Sequence, residues 1–306
     1  MLSPPETART AEISVPPPSL AVNLTLAACS FVMLGFCLLA HPPGAWQAAY
    51  SLVIATPVLL APMLVPAAWW HQHKNAEKRD AALMLPWSML LASLVAQMAA
   101  TAATFQFPMR DGLWHNVDLA LGIRIPAVMA WAAQHPGLQK SLAWCYDQLH
   151  PMMLVAILLL PLLGRRKSAE RYILANALGF VIGLPFMVFL PAIGPWVTWH
   201  FPPTGPQTIC ESGILILRHG SIPPNGLFGA TVCLPSFHTF WAVLTAQALW
   251  TFRWLRYPAI LLAVFIIAST MTMGWHYGVD VIAGILLAAI CSVSASWIAT
   301  IGRLKQ

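Results

Sequence analysis

Apolar stretches of about 20 residues recur along this chain, and the polar connections between most of them are short. A helix of that length crosses the hydrocarbon core of a bilayer. Only 8% of the residues are charged against 58% hydrophobic, whereas a soluble domain carries roughly a quarter charged residues. The sequence therefore predicts an all-α integral membrane protein. About eight transmembrane helices are expected, over residues 19–40, 45–70, 81–105, 150–164, 171–193, 236–252, 257–274 and 279–301. Pro57, Pro62 and Pro66 in the second and Pro185 in the fifth are expected to kink them.

Basic residues set the direction of insertion. One group of connections holds Lys74, Lys78 and Arg79, then Arg165, Arg166, Lys167 and Arg171, then Arg253 and Arg256. The opposite side has Arg110, Arg124, Lys140 and Arg218 spread over much longer loops. The positive-inside rule then puts both termini in the cytoplasm. Residues 1–18, Pro-rich and without the pattern of a cleaved signal peptide, read as a cytoplasmic tail. Residues 19–105 read as N-terminal transmembrane helices and 106–149 as an extracytoplasmic interfacial segment. Residues 150–306 form a transmembrane core carrying an extracytoplasmic loop, 194–235.

The outer segments are rich in tryptophan: Trp114, Trp131 and Trp144 in the first, Trp196 and Trp199 in the second. An aromatic belt at the membrane surface accounts for them, and contact with a ligand is the alternative. The second segment, rich in Pro and Gly, also reads as a lid over a site. The net charge of +6 resides in connections between spans, so it reports topology and no nucleic-acid partner is expected. Six cysteines include no pair at zinc-binding spacing, and no metal or other cofactor is expected. Cys210–Cys233 is the pair favoured for a bridge on the outer side.

Two stretches stand out in so apolar a chain: "CLPSFHTFWAV" from Cys233 and "GWHYGVDVIAG" from Gly274. In the inferred topology Ser236 and His238 lie at the outer end of the sixth span, and His276 and Asp280 at the outer end of the connection between the seventh and eighth. Pro235 followed by Ser236 reads as a helix start with Ser236 as N-cap, and such a terminus presents N–H groups to phosphate oxygens. His276 and Asp280, four apart, share a face of a helical turn, where the carboxylate orients the imidazole and frees its other nitrogen to attack phosphorus. Singly, each histidine reads as an interfacial residue and the aspartate as a cap. Together, at one depth, they are functional candidates.

These stretches resemble the second and third signatures of the type 2 phosphatidic acid phosphatase superfamily. The detail is closer to the branch containing inositol phosphorylceramide synthases and related bacterial membrane proteins, where Pro-Ser-x-His and His-Tyr-x-x-Asp forms occur. "VDLALG" (117–122), "FLPAIGPW" (189–196) and "LRHG" (217–220) resemble further segments of that branch. The resemblance implies a six-helix core and a bacterial inner-membrane setting. It implies His276 as a nucleophile forming a phosphohistidine, Asp280 as its orienting partner and His238 as the acid that protonates the leaving oxygen. Lipid is the expected partner.

The pattern departs from the superfamily in three places. Phe237 stands where glycine is usual, and is expected to crowd the approach to phosphate. The superfamily's Ser-Arg pair aligns with Ser269 and Thr270, so Thr270 replaces an arginine. No convincing first signature with its lysine is present. Ser236, Phe237, Thr270 and Arg218 are the candidate substrate-binding residues. Arg218 is the best replacement cation, its alternative role being contact with lipid headgroups. The function implied is transfer or removal of a phosphoryl-linked group on a lipid at the extracytoplasmic leaflet. The alternative is a transporter or scaffold that has kept the fold without the chemistry.

Overall fold

The computed structural model describes residues 20–39, 88, 90–92, 94–95, 97–221 and 234–304. The second expected span, 45–70, lies outside the described residues, as does most of 81–89 in the third. Among the described residues there is no strand. The helices of the described residues include α1 (Leu20–Leu39), α2 (Asp111–Ala120), α3 (Ile125–Ala133), α4 (Pro136–Asp147), α5 (Leu149–Leu162), α6 (Arg166–Phe189), α7 (Pro195–Trp199), α8 (Gly205–Arg218), α9 (Phe237–Leu249), α10 (Arg256–Thr272) and α11 (Gly278–Leu304), and a further apolar helix, Leu90–Thr104, lies between α1 and α2. Among the described residues, three stretches are each long and apolar enough to cross a membrane: Ala21–Leu39, Arg166–Phe189 and Gly278–Ile301. The pair α4–α5, bent by 44°, meets the same test only when taken as one span.

That pairing is one difference from the expectation. The short fourth span expected over 150–164 corresponds to α5, and α4 adjoins its N-terminal end although it lies within the segment 106–149 expected to be interfacial. A second difference is α6, which begins at Arg166 and not Arg171. The basic run lies inside its first turns, where Arg166 Nε donates to Glu170 Oε1 at 2.8 Å, one turn on. Pro185 sits inside α6, and the helix runs on to Phe189.

Lipid tails are as apolar as the side chains they would replace, so helices of this kind associate through close packing, which small residues permit. α6 and α9 run antiparallel in matched register. A Cβ on Gly183 would sit 2.9 Å from the Phe237 ring, and one on Gly179 would overlap Phe240. Further along, Tyr172 and Thr245 join their hydroxyls at 3.0 Å. α11 closes on the start of α9 at Gly284, where a Cβ would meet the Ser236 carbonyl oxygen at 2.5 Å. α1 packs against both α6 and α11. Core and site are thus built on one contiguous packing surface.

The segment 194–221 forms a packed block. Trp196 is buried and its indole N–H donates to Glu211 at 2.8 Å. Gln207, fully buried, donates to the carbonyls of Met273 and Gly274 at the end of α10. Its side-chain oxygen caps the start of α8 by accepting from Thr204 N at 2.8 Å. Cys233, the expected partner of Cys210, lies outside the described residues.

Candidate active site

The two histidine stretches meet. The ring centroids of His238 and His276 are 6.1 Å apart, although one residue comes from the start of α9 and the other from the turn before α11. α9 starts as its sequence dictates: Ser236 has extended backbone and its hydroxyl accepts from Thr239 N at 3.3 Å. That leaves the first N–H groups of α9, those of Phe237 and His238, without acceptors in their own helix. Ser236 N also donates to the Asp280 carbonyl at 3.1 Å, which ties the start of α9 to the first turn of α11.

His276 lies in the turn before α11, and Asp280 lies in that helix's first turn. They therefore do not share a helix face. The carboxylate reaches backward, its Oδ2 accepting from Tyr277 N at 3.0 Å and lying 3.4 Å from His276 Nδ1. The second distance exceeds that of a strong hydrogen bond, and contacts of this sort commonly tighten when substrate binds. Nδ1 is the ring nitrogen turned to the carboxylate. Thr270 acts through its backbone: its carbonyl accepts from Trp275 N at 2.9 Å and His276 N at 3.2 Å. Its hydroxyl donates to the Ile267 carbonyl, and its side chain is fully buried.

The turn is also held from outside, by residues that the sequence reading did not single out. Asp118 accepts from Gly278 N and Val279 N, both at 2.8 Å, capping α11 with both carboxylate oxygens. Asp111 accepts from Ile193 N at 3.0 Å and Gly194 N at 2.9 Å, and from the Tyr277 hydroxyl at 3.2 Å. Burial raises the pKa of both carboxyls above the usual Asp range, and their hydrogen bonds pull the other way. One signal was available in the sequence. In a chain with ten acidic residues, two stand seven apart on one face of a helix.

His238 is held by rings. Tyr146 stacks on it at 4.6 Å with planes 13° apart, and Trp275 extends the stack at 6.2 Å from Tyr146. His150 stands edge-on to His238 at 6.4 Å. Beneath lies an apolar cavity of about 450 Å³ between α5, α6, α9 and the helix carrying Leu91 and Val95, with His238 and His150 among its lining and Tyr172 and Asn176 further along α6.

Two expected binding residues are turned elsewhere. The Phe237 ring packs against Gly183, Phe180 and Trp241 and does not crowd the space between the histidines. Arg218, at the end of α8, donates to the carbonyls of Phe105 at 2.7 Å and Phe107 at 2.8 Å. Partial burial lowers its pKa, and its guanidinium clasps a backbone turn. Among the described residues no cluster of side chains could hold a metal ion.

The family model described as the PAP2 superfamily matches residues 112–294, a stretch that includes His238, His276 and Asp280. The chain belongs to the PAP2 superfamily. No curated protein and no solved structure matches it. PAP2 superfamily members are generally phosphatases or phosphotransferases, and the superfamily match begins within α2, so it takes in Asp118 as well as both histidines.

Proposed function

We propose that the protein is a membrane-integrated lipid phosphatase or phosphotransferase that works through a phosphohistidine at the extracytoplasmic leaflet. The observation that carries this reading is the 6.1 Å separation of the two imidazoles, which leaves room for one phosphorus atom between a nucleophile and an acid. His276 Nε2 attacks phosphorus while the bond to the leaving oxygen breaks, and His238 gives that oxygen its proton. Asp280 holds the His276 tautomer and supports the imidazolium character that develops. His238 then takes a proton from an acceptor hydroxyl, whose oxygen displaces His276 by breaking the P–N bond. The acceptor is water in a phosphatase and a lipid alcohol in a transferase.

The free N–H groups of Phe237 and His238 at the start of α9 supply donors to the phosphoryl oxygens. The cavity beneath His238 takes an apolar chain of the substrate or acceptor. A chain drawn from the bilayer gains little from apolar surroundings as such, so the cavity selects by length and shape. The Pro-Ser-x-His and His-Tyr-x-x-Asp forms favour headgroup transfer to ceramide or a related lipid alcohol, as in the inositol phosphorylceramide synthase branch. The positive-inside distribution supports the outward placement of the site, within a core of about eight spans in a bacterial inner membrane.

The test uses purified protein in detergent, given a labelled phospholipid donor with and without a lipid alcohol. Acid-labile label should appear on the wild type within one turnover and be absent from His276→Ala, with product formation falling at least about 10³-fold, the scale of losing a nucleophile. Turnover of His276→Ala at the wild-type rate would refute the mechanism. The clasping of Arg218 by backbone carbonyls favours the second reading, a lipid transporter or scaffold without chemistry. A wild type that binds donor yet never acquires label would establish it.

A further inference from the structure

At the end of the bundle away from the histidines, α6, α9 and α11 enclose a second and different space. It measures about 100 Å³, and its walls include Ser168, Arg171, Tyr172, Gln247, Ser292 and Ser296. Along α11, Ser292 and Ser296 lie about 18 and 24 Å beyond Asp280, at 1.5 Å rise per residue. The hydrocarbon core is about 30 Å thick, so a site at one headgroup level puts this cleft close to the other. Polar side chains between apolar helices are costly unless they serve a purpose.

The lining is rich in donors. Arg171 offers a guanidinium, Ser168 and Ser296 offer hydroxyls, and Gln247 offers its amide N–H groups while its oxygen accepts from Ser292. No carboxylate is among the described lining residues. This composition is matched by a group with several acceptor oxygens and negative charge, as a phosphate has. The neighbouring segments add Arg165, Arg166 and Lys167 before α6 or in its first turn, Arg253 between α9 and α10, and Arg256 at the start of α10. Basic pockets between membrane helices are a recurring way of holding anionic headgroups.

We propose that this cleft binds the phosphate of an anionic molecule, either an anionic phospholipid headgroup or free phosphate, at a site separate from the one between His238 and His276. Tyr172 belongs to both spaces: it lines this cleft, and it also lines the apolar cavity under His238. An occupant of the cleft would therefore brace the wall of that cavity. The inference stands without the chemistry proposed above.

The experiment measures the thermal midpoint of the purified full chain in neutral detergent, titrated with short-chain phosphatidylglycerol, short-chain phosphatidylcholine or inorganic phosphate. A saturable rise with phosphatidylglycerol, with at most a weak response to phosphatidylcholine, identifies a lipid headgroup. A saturable rise with inorganic phosphate identifies the free anion. In either case Arg171→Gln should weaken apparent binding about 10- to 100-fold, the scale of losing a charged hydrogen bond. Ser296→Ala should weaken it less, and His276→Ala should leave it unchanged. Should Arg171→Gln fold poorly, Arg171→Lys and a Ser168→Ala/Ser296→Ala pair carry the same comparison, read as retained ligand by native mass spectrometry. The proposal is overturned if neither ligand produces a saturable shift, if phosphatidylcholine matches phosphatidylglycerol, or if the variants bind as the wild type does.

Discussion

The two histidines of this site are held by different physics. His276 sits in a turn fixed by directional polar contacts: Asp280 from within α11, Asp118 on the amides of Gly278 and Val279, and Asp111 through the Tyr277 hydroxyl. His238 sits at a helix start and is wedged by the faces of rings, Tyr146 on one plane with Trp275 behind it, and His150 at its edge. The contrast fits the roles proposed for them. A nucleophile must present one nitrogen along one line, and hydrogen bonds define direction. A proton carrier needs its ring kept in place with less demand on angle, and stacking supplies that. Polar networks in buried surroundings fail abruptly when one member is lost, whereas ring packing degrades by degrees.

The sharpest break in that contrast comes from Asp118→Ala. It leaves one buried and one partly buried N–H group without acceptors, the buried one costing about 1–3 kcal/mol, and releases the turn that carries His276. Turnover is expected to fall roughly 10²-fold or more while the helical circular dichroism of the purified protein is unchanged. Asp118→Asn keeps one acceptor and should recover part of the rate. A full rate in Asp118→Ala would show that the turn is fixed without its cap.

Tyr146 supplies the milder counterpart. Aromatic pairs contribute about 0.5–1.5 kcal/mol beyond their burial, so Tyr146→Leu should lower turnover by about tenfold or less, and Tyr146→Phe should restore it. A loss in Tyr146→Phe equal to that in Tyr146→Leu would mean that the hydroxyl and not the ring face matters.

The smallest expected effect is on stability against pH. Burial holds the Asp111 and Asp118 carboxyls above their usual range, so the folded chain binds these protons more tightly than the unfolded chain. Their contribution to stability is therefore fully present below the ordinary Asp value of about 3.9, and it declines as pH rises through the window above that value. The thermal midpoint in detergent should show this shallow decline in the wild type and lose it in an Asp111→Asn/Asp118→Asn pair. A midpoint that instead rises through the same window would mean that the hydrogen bonds to these carboxylates outweigh their burial.

Much of this was open to reading from local pattern. The cap at Ser236 needs only Pro235, Ser236 and the apolar run that follows, and the helices α1, α9, α10 and α11 fall within a few residues of the stretches expected from apolar length. Other features were not legible. His276 and Asp280 at a spacing of four suggested a shared helix face, but Gly274 has a left-handed φ of 69°, and the chain turns there before α11 begins. Phe237 in place of glycine suggested a blocked phosphate site. Whether that ring blocks anything depends on Gly183, 54 positions earlier, which opens a recess for it. Arg218 looked like a free cation until the carbonyls of Phe105 and Phe107 were placed beside it.

The sequence by itself determined that the chain is a bundle of apolar helices and which two stretches form the candidate site, because helix length, capping and motif spacing are properties of neighbours along the chain. Only the tertiary structure decided what holds each imidazole: a turn capped by carboxylates from α2 for one, the Tyr146 ring for the other, with an apolar cavity below and a polar cleft at the far end. Those are relations between residues distant in sequence, and they are fixed by how closely the helices pack and by which buried polar groups find partners.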